Sequence, residues 1–534
     1  MPDHVYTVKI AGPAGAGIKS SGLLLSNILL KHGYNIRDYN EYPSLVRGGH
    51  NTYQVSFSAG EVFAAHFNVD IFFSLLPQHW QDHSPEFTEG SLVLGDDAAI
   101  PLPLKELTGQ LGSTVYGNTI CLGVAAYLLN LDTKICLASI TESYGDNPVN
   151  INAFNLGYDY AAKNYEKLRL IHISYIIDHK SALQIYDGNE AFGWGFIQGG
   201  GNFYAAYPMT PATGVLHFLA KKQSDTLRVV HPEDEIAAAS LVCGAAYAGA
   251  RAATGTSGGG FALMTESVSL AGAANLGVVF YLGSRPGPAT GLPSWTSQGD
   301  LLFAVHAGHG EFNKIVLAPG DQWDSFELAA KALNLAAQFH VPVIVLSDKF
   351  ICESGASIPD LSAQKVDIVK STLPIPGTPD KEFLANSYEH DDQGFSTEDA
   401  TQVNKNVAAR RQQVKDILEV VPPPAFYFGS KTSSTLVVSW GSVRSTIWEA
   451  LKIMDNSDIA HLHLPTLWPI DPRMEMLFKP FKNVIVVENN AQNQFTQLLK
   501  SQFDFHPTKT ILKFDGRPFF PEELIKELNF IHKS

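Results

Sequence analysis

Apolar runs and helical stretches alternate along the chain in the order typical of an α/β protein. The amino terminus predicts a buried strand at VYTVKIAG, then the glycine turn GPAGAG, then a helix that ends near Gly33. Further strands are predicted at DIFFSLL and SLVLGD, and a closing helix at AFNLGYDYAAKNYEK. A strand, a glycine turn and a helix in succession open a doubly wound domain, which we predict for residues 1–188.

The second segment, residues 191–359, shows a similar alternation. Strands are predicted at RVVH, ARAATGT, LGVVFYLG, NKIVLAP and VPVIVLSD, separated by helical runs of small residues. Asp324 is predicted to cap the helix that contains FELAAKALNLAAQF, with Glu327 three residues further on. The pattern predicts a parallel α/β domain.

The remaining sequence divides into a connector and a third α/β segment. Residues 360–429 are proline-rich and polar, with a charged helix near NVAARRQQVKDILEV, and we interpret them as a long connector that also packs on the protein. Residues 430–534 return to strand and helix signals at STLVVSWG, STIWEALKIM, AHLHLP and NVIVVENN. The predicted fold class is therefore multidomain α/β.

Composition limits the classes of function. The 534 residues are 45% hydrophobic and 17% charged, typical of a folded protein of about two to four domains. A formal net charge of −15 argues against non-specific binding to nucleic acid or to an anionic membrane. No stretch resembles a signal peptide or approaches the roughly 18 apolar residues that span a bilayer, so a cytoplasmic location is expected.

Cysteine and histidine spacings predict no metal site within this chain. The four cysteines are far apart and include no CxxC pair, so an iron–sulfur cluster or structural zinc held by this chain alone is not expected. Cys243, in an alanine-rich run, is interpreted as a small core residue. The 18 histidines show no HExxH pattern. GxSxG is absent too, which leaves a serine hydrolase without support.

The first glycine turn suggests an anion site but matches no nucleotide fingerprint. In GPAGAGIKSS, Ile18 separates Gly17 from Lys19, so the Walker spacing fails, and glycines at 12, 15 and 17 do not form GxGxxG. Backbone amides from Gly12 onward could hold an anion, with Lys19 nearby. A tight turn without a ligand remains the alternative. Arg47, beside two glycines in VRGGH, could place a guanidinium where backbone approaches a ligand.

The segment YPMTP, residues 207–211, is a more specific candidate. Two prolines bracket Met209 and Thr210 and restrict the backbone on both sides. Such a preset loop presents the Thr210 hydroxyl and the Pro208 carbonyl to a ligand with little loss of entropy. The alternative is a rigid turn that only leads into the following helix.

An acidic segment and a second glycine run supply further polar groups. In HPEDEIAAAS, Glu233 and Asp234 suit capping of the helix, because acids in a first turn favour its dipole. Glu235 begins a small, apolar helix and is expected to be buried, which suits a carboxylate that shares a proton with a ring nitrogen. In TSGGGFALMTE, the hydroxyls of Thr256 and Ser257 lie beside exposed amides.

Arg285 follows the apolar strand LGVVFYLG in the segment LGSRPGPATGLP. It therefore lies at the carboxyl end of the predicted sheet, where open α/β sheets bind ligands. Arginine is the natural bidentate partner of a carboxylate. Thr290, on the glycine–proline loop, could add a hydroxyl. A structural ion pair is the alternative for Arg285.

Taken in order, these motifs resemble the fused γ–α subunit of 2-oxoacid:ferredoxin oxidoreductases, in the pyruvate:ferredoxin oxidoreductase superfamily. GPAGAG and YPSLVRGGH match the γ part. The α core matches at YPMTP, EDEIAAAS, TSGGGFALMTE, TGLPSWTSQGDL and GHGEF. EHDDQGFSTED matches the connector, and HLPTLWPID with VVENN matches the terminal domain. The resemblance covers nearly the whole chain.

The resemblance implies three α/β domains and a connector. Residues 1–188 are then a Rossmann-like γ domain on the coenzyme A side, and 191–359 a transketolase-like, pyrimidine-type domain that binds thiamine diphosphate. The connector spans 360–429, and residues 430–534 form a transketolase C-terminal-like domain. The implied partners are a β subunit, which carries Mg²⁺ and a [4Fe–4S] cluster, and ferredoxin, in an αβ or α₂β₂ assembly. The implied reaction converts a 2-oxoacid to an acyl-CoA.

The resemblance also implies roles for single residues. Glu235 would contact and activate the aminopyrimidine ring, while Tyr207 and Pro208 line the cofactor pocket. Thr210 and Arg285 would hold the substrate carboxylate and keto group, with Thr290 close by. Gly12, Lys19 and Arg47 would help seat coenzyme A.

Several positions depart from the family pattern. TSGGG replaces TSGPG, SRPGPATG stands where RGGPSTG is common, Ser297 replaces a carboxylate in TSQGD, and Asn493 replaces a glycine. These changes motivate an alternative function, a diverged assembly subunit without catalysis. A stand-alone nucleotide-binding dehydrogenase is a third hypothesis, which the failure of both nucleotide fingerprints disfavours.

Overall fold

The computed structural model describes residues 4–44, 49–77, 79–169, 183–379, 383–429 and 432–532. The chain divides into two compact units. The first comprises the described parts of residues 1–186, 354–360 and 520–523. The second comprises the described parts of residues 187–353, 361–519 and 524–534.

The strands and helices alternate along the whole chain. The elements of the amino-terminal part are β1 (Tyr6–Pro13), α1 (Ile18–Lys31), β2 (Asn35–Glu41), β3 (His50–Ser58), β4 (Val69–Ser74), β5 (Phe87–Gly95), β6 (Ile100–Pro101), α2 (Leu104–Gln110), α3 (Gly117–Leu128), α4 (Thr133–Tyr144), α5 (Pro148–Asn164) and β7 (Leu183–Tyr186). The predicted first strand and first helix are confirmed as β1 and α1.

The middle part continues the alternation. Its elements are α6 (Gly188–Gln198), β8 (Phe203–Ala205), α7 (Thr213–Lys221), β9 (Arg228–Val230), α8 (Glu235–Tyr247), β10 (Ala252–Ser257), α9 (Gly258–Ala273), β11 (Val278–Ser284), α10 (Leu301–His306), β12 (Ile315–Leu317), α11 (Gln322–Phe339), β13 (Val343–Asp348), α12 (Lys349–Glu353) and β14 (Ala356–Pro359). Each strand predicted for this segment is confirmed.

The connector contains one long helix, and the terminal part returns to an α/β pattern. The elements are α13 (Ala400–Leu418), β15 (Ala425–Phe428), β16 (Thr435–Ser439), α14 (Val443–Met454), β17 (Ile459–His463), β18 (Thr466–Trp468), α15 (Glu475–Phe478), β19 (Asn483–Glu488), α16 (Gln494–Gln502), β20 (Lys509–Leu512) and α17 (Pro521–His532). The charged helix predicted in the connector corresponds to α13.

The sheet of the first unit is parallel on one side of β1 and antiparallel on the other. Its strand order is β6-β5-β4-β1-β3-β2-β14-β7. Val8 of β1 lies opposite Ile71 of the parallel strand β4 and opposite Val55 of the antiparallel strand β3. The parallel half matches the predicted doubly wound opening. The antiparallel half arises because β2 and β3 form a hairpin and β3, not β2, pairs with β1.

A second sheet forms the centre of the second unit, in the order β18-β12-β13-β11-β10-β8-β9. The neighbouring strands are parallel except for β18, which is antiparallel to β12. Thr256 of β10 lies opposite Leu282 of β11. The segments that follow these two strands, which contain Gly258 and Arg285, therefore emerge at the same edge of the sheet.

A third sheet, β15-β17-β16-β19-β20, completes the second unit. Its strands are parallel apart from β15 at the edge. Residues of the second and third sheets share one hydrophobic core, which includes Phe261, Phe280, Val438 and Leu462. Burial of such side chains, about 1.5–3 kcal/mol each, holds the two sheets together.

The cap predicted for α11 is wrong. Asp321 caps this helix, because its side chain accepts a hydrogen bond of 2.9 Å from the backbone N–H of Asp324. Asp324 lies one turn inside the helix, where its Oδ2 pairs with Arg444 Nη1 at 2.6 Å. Asp321 has the extended backbone conformation of a capping residue, whereas Asp324 already lies in the first turn of α11, and Arg444 pairs with both carboxylates.

Candidate active site

Glu235 is the first residue of α8. Asp234 caps this helix by accepting a hydrogen bond of 2.8 Å from Ala237 N, as the sequence predicted. Glu235 is only 5% exposed, and its Oε1 has no hydrogen-bond partner among the described residues. Since a buried carboxyl oxygen without a partner is costly, this atom is expected to meet a hydrogen-bonding group of a ligand.

The glycine run TSGGG packs directly against Glu235. Gly260, in the first turn of α9, lies where a Cβ atom would be 2.7 Å from Glu235 Oε1 and would also clash with Thr256 Oγ1. A side chain at position 260 would therefore displace the carboxylate. Thr256 Oγ1 lies 3.8 Å from Met209 Sδ. The segments YPMTP, EDEIA and TSGGG thus meet at the carboxyl edge of the second sheet.

Further buried polar atoms near the end of β10 also lack partners. Ser257 Oγ and Thr254 Oγ1 are buried and form no hydrogen bond within the described part of the chain. Tyr204 OH, on the neighbouring strand β8, is also buried without a hydrogen-bond partner among the described residues, and it lies against Gly255. Native proteins rarely leave such groups unpaired, but Thr254 and Ser257 face opposite sides of the sheet, so these atoms do not form one ligand site.

Arg285 lies just after β11 and is half-buried. Its Nη1 donates a hydrogen bond of 2.7 Å to the backbone oxygen of Thr210. Burial lowers the pKa of the Arg285 guanidinium, and the carboxylate of Asp300 opposes that shift. The structure therefore brings two predicted site residues together, with the Thr210 carbonyl orienting the guanidinium.

Asp300 is a site residue that the sequence interpretation did not single out. Ser284 Oγ donates a hydrogen bond of 2.7 Å to Asp300 Oδ2. Burial raises the pKa of the Asp300 carboxyl, while Ser284 and Arg285 lower it. Gly258 lies against the same carboxylate, where a Cβ would be 2.9 Å from Oδ2. The position of Asp300 at the end of TSQGD was the sequence signal that could have identified it. Its proximity to Arg285 is visible only in the tertiary structure.

The other predicted residues lie at the surface of this region. Tyr207 is 37% exposed, and its ring meets that of His231 edge to face, with centroids 5.8 Å apart. Pro208 is half-buried, and Thr290 is exposed on the loop that follows Arg285. The structure thus leaves these three side chains accessible to a ligand.

The first unit has a separate cleft of about 570 Å³ at the carboxyl ends of β1, β4 and β5. It is lined by the glycine turn, by the segments after β4 and β5 and by part of α2, including Ala14, Gly15, Leu76, Asp96, Lys105 and Thr114. Gly17 is the residue before α1 and has φ 71°, a left-handed conformation that favours glycine. Lys19 is exposed in the first turn of α1, whereas Gly12 is buried in β1. Arg47 lies outside the described residues.

An exposed apolar surface borders Glu235. On α8 it includes Ile236, which is 52% exposed, and Leu241; on α9 it includes Leu263, which is 51% exposed. Gly244, Gly259 and Ala262 are also exposed on these two helices. We call this set of residues the α8–α9 surface. Exposed apolar side chains on two neighbouring helices are typical of an interface.

Two family models match the chain. The model described as pyruvate ferredoxin/flavodoxin oxidoreductase matches residues 7–160. The model described as the thiamine-diphosphate-binding part of pyruvate flavodoxin/ferredoxin oxidoreductase matches residues 195–418. The second match includes the segments that meet around Glu235.

Curated relatives extend the similarity over most of the chain. Subunit alpha of 2-oxoacid:ferredoxin oxidoreductase 1 from Aeropyrum pernix is 33% identical and aligns with 77% of this chain and 70% of its own length. The chain belongs to the 2-oxoacid:ferredoxin oxidoreductase family. Subunit alpha of a second such oxidoreductase from that organism is 28% identical over 96% of each chain. The resemblance inferred from the motifs is confirmed.

A solved structure in this family has the same fold. The 2-oxoglutarate:ferredoxin oxidoreductase from Magnetococcus marinus, with 2-oxoglutarate, coenzyme A and succinyl-CoA bound, matches with a TM-score of 0.91 and 25% identity. The match covers 98% of this chain and 99% of that chain. The predicted α/β fold class is therefore confirmed, and the chain is an alpha-type subunit of a 2-oxoacid:ferredoxin oxidoreductase.

The cysteines of this 2-oxoacid:ferredoxin oxidoreductase subunit are structural. Cys121, Cys136, Cys243 and Cys352 are free and buried. Cys243 packs in the shared core of the second unit, as predicted. Over the described ranges, no three His, Cys, Asp or Glu side chains are grouped as metal ligands. No helix in the described part of the chain has both the length and the apolarity needed to cross a membrane.

Proposed function

We propose that this subunit holds the aminopyrimidine side of thiamine diphosphate and shares a 2-oxoacid site with a partner subunit. The observation that carries the proposal is the buried, unpartnered Oε1 of Glu235 at the carboxyl edge of the second sheet. The residues present fit the cofactor, because a ring nitrogen would supply the partner that this oxygen lacks. Gly260 leaves the space that the carboxylate occupies.

The proposed chemistry is the oxidative decarboxylation of a 2-oxoacid to an acyl-CoA, with electrons passed to ferredoxin. When bound, thiamine diphosphate supplies the electron sink that this reaction requires. Glu235 holds a proton at Oε1 for exchange with the ring nitrogen. Tyr207 and Pro208 line the cofactor side of the site.

The same proposal assigns the substrate carboxylate to Arg285. The Thr210 carbonyl orients its guanidinium, and the accessible N–H groups remain for a bidentate contact with the carboxylate. Hydroxyls of Thr210 and Thr290 would contact the keto group. Asp300 partly balances the arginine charge, so the site need not hold an isolated buried cation.

Coenzyme A is proposed to bind at the cleft of the first unit. Backbone amides of the glycine turn precede α1, whose positive dipole end favours phosphate. Gly12, Lys19 and Arg47 are the residues proposed to help seat it. Lys105 also lines this cleft and adds a positive charge that the sequence interpretation did not include.

The partner is proposed to be a β subunit that carries Mg²⁺ and a [4Fe–4S] cluster, in an αβ or α₂β₂ assembly that reduces ferredoxin. The α8–α9 surface supports this proposal, since it is apolar, exposed and adjacent to Glu235. A partner that covers this surface would exclude water from Glu235, which strengthens electrostatic contacts there.

The test uses the complex purified after co-expression with its β subunit. Reduction of a viologen dye is measured with coenzyme A and a panel of pyruvate, 2-oxoglutarate, branched and aryl 2-oxoacids. In Glu235→Gln, kcat is expected to fall about 10²–10⁴-fold, the usual contribution of a proton-transferring group. Glu233→Gln is the control, because Glu233 is exposed two residues away.

The result separates two functions. Loss of activity in Glu235→Gln, with an intact complex and unchanged activity in Glu233→Gln, supports a catalytic subunit. If Glu235→Gln retains full turnover, Glu235 has no part in catalysis and the proposal fails. A wild-type complex that forms but oxidises none of the 2-oxoacids supports the alternative, a diverged assembly subunit without catalysis.

A further inference from the structure

The loop that carries Arg285 and Thr290 is long and rich in glycine and proline. It runs from residue 285 to residue 300 between β11 and α10, and we call it the arginine loop. Residues 287–292 are exposed. Ordering a loop costs backbone conformational entropy at every residue, so a fixed arginine requires contacts that hold the loop.

The base of the arginine loop is closed within the second sheet. Ser284, before the loop, donates to Asp300, at its end, over 2.7 Å. Leu292 N also donates to Pro286 O at 2.9 Å, which folds the tip back on itself. These contacts close the loop but do not determine its direction relative to the sheet edge.

Gln298 attaches the arginine loop to the third sheet. Its Nε2 donates to Trp440 O at 2.8 Å, after β16, and its Oε1 accepts from Asn489 N at 2.8 Å, after β19. Its backbone N–H donates to Asn489 O at 2.7 Å. Gln298 is fully buried, so these bonds form away from water, where an unmade partner would be costly.

Two neighbours of Gln298 add contacts from the segment after β20. Thr296 N donates to Gly516 O at 2.9 Å. The Arg517 guanidinium stacks over the Trp295 ring at 3.9 Å from its centroid. The arginine loop is thus tied to the ends of β16, β19 and β20. The backbone atoms that Gln298 contacts are brought into position only when the third sheet folds.

We infer that Gln298 is a positioning residue, through which the third sheet sets the place of Arg285 in the substrate site. This rests on the proposed role of Arg285 in binding the substrate carboxylate. At the start of the loop, the Arg285 guanidinium is held by its hydrogen bond to Thr210 O. Near the end of the loop, the Gln298 contacts hold the backbone. Without the Gln298 side chain, the loop keeps its base and the backbone bond from residue 298 to Asn489 O, but it loses the amide contacts with Trp440 O and Asn489 N.

The test compares three variants in the complete complex with its β subunit: Gln298→Asn, Arg285→Ala and the double variant. Asn is one methylene shorter and cannot reach both backbone partners. Gln298→Asn is expected to raise KM for the 2-oxoacid about tenfold with kcat changed less than about twofold, since binding energy common to ground and transition states is lost. In the Arg285→Ala background, Gln298→Asn is expected to change KM no further.

Gln413→Asn is the matched control. Gln413 also joins two elements through its amide, donating to Phe339 O at 2.8 Å and accepting from Asn313 Nδ2 at 2.8 Å, but it lies on α13. The Gln413→Asn variant is expected to have the same KM for the 2-oxoacid as the wild type. Arg517→Met is a second probe at the half-exposed surface, and a KM increase of about threefold is expected because its stacking on Trp295, one of several contacts to the loop, is lost.

The outcomes distinguish this inference from the proposed function. If Arg285→Ala leaves KM unchanged, the proposed role of Arg285 fails. If Arg285→Ala raises KM but Gln298→Asn does not, or if the two effects multiply in the double variant, the positioning role of Gln298 is wrong. Should Gln298→Asn not assemble, an Arg517→Met complex with wild-type KM also overturns the inference.

Discussion

His461 Nδ1 and His463 Nε2 are buried and lack hydrogen-bond partners among the described residues, as Glu235 Oε1 does, but they do not indicate a ligand site. Both side chains are fully buried in β17, and Ser439 Oγ lies 2.8 Å from His461 Nε2 and 3.2 Å from His463 Nδ1. Burial, with the nearby Arg444 charge, lowers the pKa of His461 to about 3, and it lowers the pKa of His463 in the same direction. Glu235 instead lies beside an exposed surface that a ligand can reach.

This difference predicts a pH dependence of stability. Below about pH 6.5 an unfolded histidine takes up a proton, whereas His461 stays neutral in the folded protein until the pH approaches about 3. The unfolded state then binds more protons, so the free energy of unfolding falls as the pH drops from about 6.5 towards 3. At about pH 5 the expected loss from His461 is about 2 kcal/mol.

Thermal unfolding of His461→Gln at about pH 7.5 and pH 5 measures this effect. Glutamine can keep a hydrogen bond to Ser439 without titrating, so the drop in Tm between the two pH values is expected to be smaller than in the wild type. His506→Gln is the control, because His506 is exposed. An unchanged pH response in His461→Gln would contradict the assignment of the acid sensitivity to His461.

At the scale of elements, a buried ion pair joins α11 to α14. Arg444 is buried and pairs with Asp321 and, at 2.6 Å, with Asp324. Tyr427 OH accepts a further hydrogen bond of 3.1 Å from it, and the guanidinium lies 4.9 Å from the Tyr427 ring centroid. Because Asp321 also caps α11, the Arg444 ion pairs join the amino-terminal end of α11 to α14. The Tyr427 contact extends this connection to β15 of the third sheet.

Arg444→Met is expected to lower the free energy of unfolding by about 3–5 kcal/mol, since it leaves two largely buried carboxylates without their cationic partner. Arg473→Met is the matched control: Arg473 pairs with Asp471 and Glu419 at the surface, and a much smaller loss is expected because solvent screens exposed ion pairs. Chemical denaturation of both variants measures the difference. Equal small losses would show that the Arg444 pair contributes little.

At the scale of the whole molecule, the α8–α9 surface is an apolar surface that the described part of the chain leaves exposed. Helix α8 has apolar or small residues all round, a composition typical of a buried helix. Yet Ile236 and Leu241 are exposed on it. This contrast supports a partner subunit as the element that completes the fold next to Glu235.

Leu263→Asp is expected to weaken association with the β subunit by at least about tenfold, because a carboxylate would be buried in an apolar interface without a partner. Met476→Asp is the control, since Met476 is 64% exposed on α15, outside the α8–α9 surface. Co-purification and size-exclusion chromatography measure the association. If Leu263→Asp assembles as well as the wild type, the partner binds elsewhere.

The sequence predicted much of the candidate site because its motifs are local. YPMTP, EDEIA and TSGGG each combine a turn or helix start with a polar group, and these features depend on neighbours a few residues away. Burial of Glu235 followed from the small, apolar helix that it begins. Capping by Asp234 followed from the same local rule, which failed for α11 because that helix begins three residues earlier than predicted, directly after Asp321.

What the sequence determined by itself was the order of strands and helices, the α/β class, the family and the residues worth testing, since periodicity and short motifs express these directly. Only the tertiary structure decided that β3 separates β2 from β1, that Thr210 O holds Arg285, and that Gln298 ties the arginine loop to the third sheet. The physical reason is that these contacts join residues up to 191 positions apart, often through backbone atoms. Backbone atoms are the same in every residue, so no sequence pattern records which of them will meet.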